Sequence, residues 1–189
     1  MKVSNLKKSA GGKVNKGGTG GGGRRRGGGG GRRCFVAGTL VSMLSGYKPI
    51  ENLKVGDTVL SYNERKRRNE YGQVLRLMIH DTIELFYTLH IENETITATG
   101  THPFYIIRNR IGDWVEVADI KIGDFVLFAD GTLHKVSDIE FDIKATRVYN
   151  LEVSGNHNYY VGTNQILVHN KGGGRRRGGG GGGRTMTAA

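Results

Sequence analysis

Residues 47–60 read YKPIENLKVGDTVL and residues 114–127 read WVEVADIKIGDFVL, so one phrase recurs 67 residues later without a gap. In both copies an apolar residue is followed by Gly-Asp and then by a strand-like run. Glycine tolerates backbone conformations that other residues avoid, so this pattern predicts a tight turn that leads into a strand. The repeat predicts two related β-subdomains around a pseudo-two-fold axis, an arrangement that can bring the two ends of the domain together.

The sequence around the two copies also has a β pattern. Short runs rich in β-branched and aromatic residues alternate with turn residues, as is typical of strands. The runs are TVLSYN, QVLRLMI, IELFYTLHI, ETITATG, FVLFADG, RVYNLEV and YYVGTNQILV. No helical period lasts beyond two or three turns, and YKPIENLK and WVEVADIK allow at most one helical turn each. We therefore predict an all-β domain.

The two flanks differ from this domain in composition. Residues 1–33 carry ten Lys or Arg residues, residues 171–189 carry five, and neither segment has an acidic residue. The flanks also hold 22 of the 32 glycines. Such segments have almost no apolar surface to bury, so we predict disordered Gly/Arg-rich flanks at 1–33 and 171–189 around a folded domain at 34–170. The flanks could serve as flexible spacers, or their arginines could bind nucleic acid weakly and without sequence specificity.

Several classes of protein are excluded by what the sequence lacks. One cysteine cannot form an internal disulfide, and no Cys/His cluster has the spacing of metal ligands. The N-terminus shows no apolar segment typical of a secretory signal, and no apolar run approaches the ~20 residues of a spanning helix. We expect a monomer without a metal or a membrane segment, cytoplasmic by default.

The first residue of the predicted domain is the only cysteine, Cys34, next to the polar flank. A thiolate can attack the carbonyl of the preceding residue and convert the Arg33–Cys34 amide into a thioester. An amide nitrogen leaves poorly, so an acid must protonate it. The spacing T-x-x-H in TGTHPF offers His102 as this acid, and Thr99 as a residue that holds the scissile peptide.

The last residue of the predicted domain is Asn170, in QILVHNKGGG. Its side-chain nitrogen can attack its own backbone carbonyl, which closes a five-membered ring and cuts the chain before Lys171. Ring closure is intramolecular, so orientation supplies part of the barrier. His169 is placed to polarise the carbonyl, and His157 to shuttle the proton. The other histidines have no partner motif and receive no role: His80, His90 and His134.

These motifs occur in one known family. CFVAGT, TGTHPF and RVYNLEVSGNHNYYVGTNQILVHN resemble, in order, the motifs of the Hint superfamily of intein and hedgehog autoprocessing domains. The chain is most similar to a bacterial intein-like domain of the first type. The resemblance implies a horseshoe-like all-β fold, no cofactor, and single-turnover self-cleavage or splicing that acts in cis on the flanks. The 45 residues from Phe104 to Val148 are too few for an inserted homing endonuclease.

The chain departs from the family pattern at two positions. Asn150 in VYNLEV stands where many inteins have an acidic residue. Lys171 stands where standard inteins need Cys, Ser or Thr, so the usual branched ester cannot form. The thioester would then pass to water or an external thiol, or to the amine of Lys171 once Asn170 has cyclised, which would splice the flanks. A module that releases a toxin is an alternative function.

Overall fold

The computed structural model describes residues 32–170. The prediction of disordered flanks falls on residues outside this range, apart from Arg32 and Arg33, and so does Lys171. The described chain forms twelve strands and two 3₁₀ turns, Ile50–Asn52 and Val117–Asp119, and it contains no α-helix. The strands are β1 Phe35–Val36, β2 Leu40–Ser42, β3 Tyr47–Pro49, β4 Thr58–Asn63, β5 Arg68–Ile91, β6 Glu94–Thr99, β7 Pro103–Arg108, β8 Ile111–Glu116, β9 Phe125–Leu127, β10 Leu133–Val153, β11 Asn158–Val161 and β12 Ile166–His169. The predicted all-β fold is confirmed.

The strands join into one hydrogen-bonded system in the order β3-β2-β11-β12-β7-β9-β10-β1-β6-β5-β4, with β8 paired to β7. Its central element is the antiparallel pair of the two longest strands, β5 and β10. Their register runs from Ile91 opposite Val136 to Val74 opposite Val153. All the pairings are antiparallel.

The two copies of the repeated phrase fold in the same way. Each forms a strand, a 3₁₀ turn, a tight turn and a second strand. Gly56 and Gly123 have φ values of 92° and 93°, in the left-handed region that favours glycine. The carboxylates of Asp57 and Asp124 each accept a 2.8 Å hydrogen bond from the backbone N–H three residues earlier. The turn predicted from Gly-Asp is therefore present in both halves.

The pseudo-two-fold relation extends to the strands on either side of the turns. The elements β1 to β5 form one half and β6 to β10 form the other. Each half contributes its first strand to the long strand of the other half, because β1 pairs with β10 and β6 pairs with β5. The hairpin β11–β12 then closes the molecule, with β11 on β2 and β12 on β7.

The structure differs from the predicted strands along β5 and β10. QVLRLMI and IELFYTLHI were expected as two strands, but both belong to β5, and β10 begins before RVYNLEV. The polar residues between the two runs pair across the ribbon, with Asp81 opposite Arg147 and Thr82 opposite Thr146. Cross-strand pairs of this kind stabilise a strand that local sequence interrupts.

The buried core lies between the two halves and under the closing hairpin. It includes three aromatic side chains, Phe35, Phe104 and Tyr159. The ring centroid of Phe35 lies 6.2 Å from that of Phe104 and 6.4 Å from that of Tyr159. Aromatic rings in such edge-on contacts add to the free energy gained by their burial. This core holds β1, β7 and β11 in contact. In residues 32–170 we find no helix with the length and apolarity needed to cross a membrane.

Candidate active site

Five of the six predicted catalytic residues lie close together where the strands of both halves meet the closing hairpin. Cys34 comes directly before β1, Thr99 ends β6, and His102 comes directly before β7. His169 ends β12, and Asn170 follows it. Because β1 and β6 are neighbours and β12 pairs with β7, the two ends of the domain converge. Cys34, Thr99, His102 and Asn170 are all buried.

Thr99 holds the peptide bond before Cys34. Its hydroxyl oxygen accepts a 2.9 Å hydrogen bond from the Cys34 N–H, and its hydroxyl donates to the carbonyl of Arg32. Its backbone N–H donates to the Cys34 carbonyl at 3.0 Å. The Thr101 hydroxyl also donates to the Arg32 carbonyl, at 3.0 Å. The peptide groups on both sides of the Arg33–Cys34 bond are thereby fixed.

The ring of His102 lies in an apolar pocket beside this peptide. Its centroid is 4.0 Å from that of Phe35 and 6.0 Å from that of Phe104. The pKa of His102 is lowered to about 3, mainly by burial and to a smaller extent by the positive charge of Arg33. The Arg33 backbone favours protonation of His102 and only partly offsets these effects. The resting ring is therefore neutral.

The thiol of Cys34 is also uncharged at neutral pH. The pKa of Cys34 is raised to about 12, and burial is the largest cause. The negative charge of Glu84 adds to this rise, and the positive charge of Arg32 opposes it. The predicted nucleophile is thus a thiol and not a thiolate, and it would have to lose its proton as it reacts.

At the other junction, Asn170 is held through its backbone and through one atom of its side chain. Its N–H donates to the carbonyl of His157 at 2.7 Å, and its Oδ1 accepts a 3.3 Å hydrogen bond from Nδ2 of Asn150. Its own Nδ2 is buried and has no hydrogen-bond partner among residues 32–170. The phenol of Tyr159 donates to Asn150 Oδ1 at 3.2 Å.

The two junctions share one environment. Burial raises the pKa of Tyr159, and a negative charge on Cys34 would raise that pKa further. Hydrogen bonds link Tyr159 to Asn150 and Asn150 to Asn170. On the other side, the charge that His169 can carry contributes to the lowered pKa of His102.

The side chain of His169 is half-buried and packs on Trp114. Their ring centroids are 4.6 Å apart with the planes at 72°. The indole N–H of Trp114 donates to Glu64 Oε1 at 3.1 Å. Trp114, held in this way, restricts the positions open to the His169 ring.

His157 differs from the other predicted residues. It lies in the turn before β11 with φ 54°, and its side chain is exposed. What it supplies to the site within residues 32–170 is its carbonyl, which holds Asn170. The predicted role of its ring as a proton shuttle stays a prediction.

Sequence reasoning did not identify three residues at the site, Thr101, Tyr159 and Trp114. Thr101 and Tyr159 lie inside the motifs TGTHPF and GNHNYYVG, but threonine and tyrosine are common in any strand-rich segment. Trp114 is the first residue of the second repeat, and its place in a structural repeat indicates a packing role and not a role at the site. Among residues 32–170, no three His, Cys, Asp or Glu side chains come together as a metal site would require.

Comparisons with known proteins agree with this geometry. The family model described as "Pretoxin HINT domain" matches residues 40–171. The solved structure of a bacterial intein-like domain from Clostridium thermocellum is 35% identical, with a TM-score of 0.69, and the match covers 74% of this chain and 99% of that one. The gp41-1 intein is 28% identical with a TM-score of 0.59, and the match covers 74% of this chain and 99% of that one.

A DnaB intein from Synechocystis sp. PCC 6803 shares the fold at 21% identity and a TM-score of 0.63, over 74% of this chain and 99% of the intein. Among curated protein sequences no similar chain was found. The family match extends over most of the chain, and the intein-like domain is matched over nearly its whole length. The chain therefore belongs to the Hint superfamily of hedgehog and intein domains, within the family described as pretoxin HINT domains.

Proposed function

We propose that residues 34–170 cut their own chain at two peptide bonds, Arg33–Cys34 and Asn170–Lys171, once per molecule and without a cofactor. Membership of the Hint superfamily makes this a self-processing domain in general terms. The observation that carries the specific proposal is the set of contacts around the Arg33–Cys34 peptide bond. The nitrogen that must leave, Cys34 N, donates to the Thr99 hydroxyl, and the buried His102 lies beside the same peptide.

The first cut begins at the Cys34 thiol. Its sulfur attacks the carbonyl carbon of Arg33, the new C–S bond forms, and the C–N bond to Cys34 breaks. The thiol proton passes through the neutral His102 to the departing nitrogen, which leaves as an amine. Because burial disfavours a charge on either group, the transfer accompanies the attack. The product is a thioester between Arg33 and the sulfur.

Thr99 supports this step by fixing geometry. A hydroxyl oxygen that accepts from the leaving N–H holds the peptide in one orientation towards the thiol. Positioning the reacting groups replaces part of the entropy that the step would otherwise lose. The thioester then reacts with water or an external thiol, which releases the N-terminal flank.

The second cut begins at the Asn170 side chain. Its Nδ2 attacks the backbone carbonyl carbon of the same residue, the bond to the nitrogen of Lys171 breaks, and the proton from Nδ2 moves to that nitrogen. The domain then ends in a five-membered succinimide ring. We assign His169 to polarising the carbonyl and the exposed ring of His157 to carrying the proton. Neither assignment depends on the thiol.

Neither alternative function is favoured over self-processing. Binding of nucleic acid was inferred from the Gly/Arg-rich flanks, nearly all of which lie outside residues 32–170. Release of a toxin was inferred from related domains. Splicing of the two flanks through Lys171 remains part of the proposal, as a minor route after both bonds have reacted.

Intact mass spectrometry of the full chain, incubated with and without dithiothreitol, tests this function. We expect species that have lost residues 1–33, residues 171–189, or both. Cys34→Ala should abolish the first cut and retain the second, because ring closure does not use sulfur. Asn170→Ala should do the reverse, and its thioester should be released by dithiothreitol.

A wild-type chain that stays at 20.6 kDa after long incubation with thiol would rule out self-processing. Loss of both cuts in a folded Cys34→Ala protein would show that the two reactions are not independent. Circular dichroism of each variant provides the folding control, since an all-β spectrum should be retained.

A further inference from the structure

The orientation of the Asn150 side chain is fixed by a backbone group. Asn150 is on β10 and is buried. One end of its amide lies 2.8 Å from the N–H of Leu151, which can only donate a hydrogen bond. That end must be the oxygen. The Tyr159 hydroxyl, 3.2 Å from the same atom, must then donate to it as well.

The same reasoning fixes the orientation of Asn170. With Oδ1 of Asn150 facing Leu151, its Nδ2 faces Asn170, and an amide NH₂ can only donate. The Asn170 atom at 3.3 Å must therefore be the oxygen. The nitrogen of Asn170 is left on the other side, buried and without a partner among residues 32–170. An unpaired buried donor is costly, and here it leaves Nδ2 with no competing hydrogen bond within residues 32–170.

We infer that Asn150 is a positioning residue for the cut before Lys171, and that it acts by donating a hydrogen bond to Oδ1 of Asn170. This inference rests on the proposed function. The donated hydrogen bond has two effects. It keeps Nδ2 free to face the backbone carbonyl, and it draws electron density towards Oδ1, which makes the Nδ2 protons easier to remove as the C–N bond forms.

A carboxylate at position 150 would act in the opposite way. An ionised carboxylate can only accept, so it would attract Nδ2 of Asn170 instead of Oδ1. The amide would rotate, and the nucleophilic nitrogen would be held in a hydrogen bond. A protonated carboxyl group still has one O–H donor and could replace the amide of Asn150. The expected behaviour of an aspartate here therefore depends on pH.

The test is the Asn150→Asp variant of the full chain. Release of residues 171–189 is followed by mass spectrometry from pH 4.5 to pH 9 and divided by the wild-type rate at each pH. Burial raises the pKa of a carboxyl group above its ordinary value of about 3.9, so the donor form persists into the acidic part of this range. We expect a ratio near one at the acidic end that falls about tenfold or more as the carboxyl ionises.

A ratio that stays flat or rises with pH would overturn the inference, because the carboxylate would then be harmless or would act as a base. If the wild type releases no C-terminal peptide at any pH, the proposed function fails instead. Asn150→Leu provides a second test. It should slow the second cut about tenfold at all pH values and leave the thiol-induced first cut within about twofold, and an equal loss of both cuts would overturn the inference.

Tyr159→Phe is the matched control for the orientation argument. It removes one donor to Oδ1 of Asn150 but leaves the Leu151 N–H, so the amide should keep its orientation. We expect the rate of the second cut to fall by about threefold or less, which is a smaller decrease than that expected for Asn150→Leu. A loss equal to that of Asn150→Leu would show that Leu151 does not set the orientation.

Discussion

Cys34 and His102 are both buried, and burial moves their pKa values in opposite directions, to about 12 and about 3. Each shift favours the uncharged form of its group. A charge on His102 would have to be stabilised beside Phe35 and Phe104. A charge on Cys34 would have to be stabilised in its buried cluster with Phe86 and Val148. Cys34 and His102 are therefore both uncharged at neutral pH, and the proposed reaction would move the thiol proton as the sulfur attacks.

Arg32, two residues before Cys34, is also held by hydrogen bonds. The Arg32 carbonyl accepts from the hydroxyls of Thr99 and Thr101, and Nη1 of Arg32 donates to the carbonyl of Asp81 at 3.2 Å. The domain thus binds its own flank at the second residue before the cut. The two contacts to the Arg32 carbonyl position the peptide whatever its side chains are, and the contact to Asp81 is specific to arginine.

We predict that Thr101→Val slows the first cut about two- to tenfold, which is the range expected for one lost hydrogen bond. Thr101→Ser keeps the hydroxyl and should stay within about twofold of the wild type. The measurement is the rate at which dithiothreitol releases residues 1–33. The second cut serves as the internal control and should not change. Equal rates for the Val and Ser variants would show that the Thr101 hydroxyl does not position Arg32.

At the scale of the elements, the pseudo-two-fold relation shows that His102 occupies the same position in its half as Thr39 does in the other half. The backbone N–H of Thr39 donates to Val36 and that of His102 donates to Thr99, so each half has the same turn. The carbonyls of Thr39 and His102 each accept from the first residue of a 3₁₀ turn, at 2.8 and 2.9 Å. One turn carries the candidate catalytic histidine, and its counterpart carries a threonine.

The repeated Gly-Asp turns allow a matched pair of stability measurements. Gly56 and Gly123 have positive φ values, and a Cβ added to either would meet no atom within 4 Å. We predict that Gly56→Ala and Gly123→Ala each lower the free energy of unfolding by about 1–2 kcal/mol, through backbone strain alone. Urea denaturation should be measured in a Cys34→Ala, Asn170→Ala background, where no cleavage changes the species.

Gly72→Ala provides the contrast for this pair. An added Cβ would lie 2.6 Å from Val153 Cγ1 and 2.9 Å from the Ser154 carbonyl, so the backbone itself would have to shift. Gly72→Ala should lower the free energy of unfolding by more than Gly56→Ala or Gly123→Ala does. A smaller loss for Gly72→Ala, or clearly unequal losses at Gly56 and Gly123, would contradict the symmetric description of the two turns.

At the scale of the whole molecule, exchange of first strands between the halves brings the two ends of the described domain, Cys34 and Asn170, together. This convergence permits ligation only if a nucleophile follows Asn170. The ε-amine of Lys171 has an ordinary pKa near 10.4 and is protonated at neutral pH, so it is a poor nucleophile. Its α-amine, freed by cyclisation, has an ordinary pKa of roughly 8 and can attack the thioester, but the released flank can also diffuse away.

We therefore predict that Lys171→Cys raises the yield of the spliced product, a 52-residue peptide that joins residues 1–33 to residues 171–189. A thiol at this position can take over the thioester before the second cut, while it is still tethered. The yields from the wild type and the variant are compared by mass spectrometry under one set of conditions. A variant that cuts at both ends and splices no better would place the limitation in geometry and not in the missing nucleophile.

The sequence alone determined the all-β class, the repeat and the superfamily, because each depends on residue order. Alternating apolar residues define strands locally, and the Gly-Asp turn needs only its own residues to form. Cys34, Thr99, His102, His169 and Asn170 could be proposed because their chemistry requires those residue types at the junctions. Their convergence was inferred from the repeat, and the pairing of β1 with β10 and of β6 with β5 accounts for it.

Only the tertiary structure decided how the side chains are oriented. That β5 is one strand follows from its pairing with β10, between residues more than 40 positions apart. The exposure of the His157 ring follows from a turn conformation that the motif does not reveal. The amide of Asn170 is oriented by Asn150, which is 20 positions earlier on another strand and is itself oriented by a backbone N–H. Hydrogen-bond direction depends on which donor and acceptor meet in space, and residue order does not specify that.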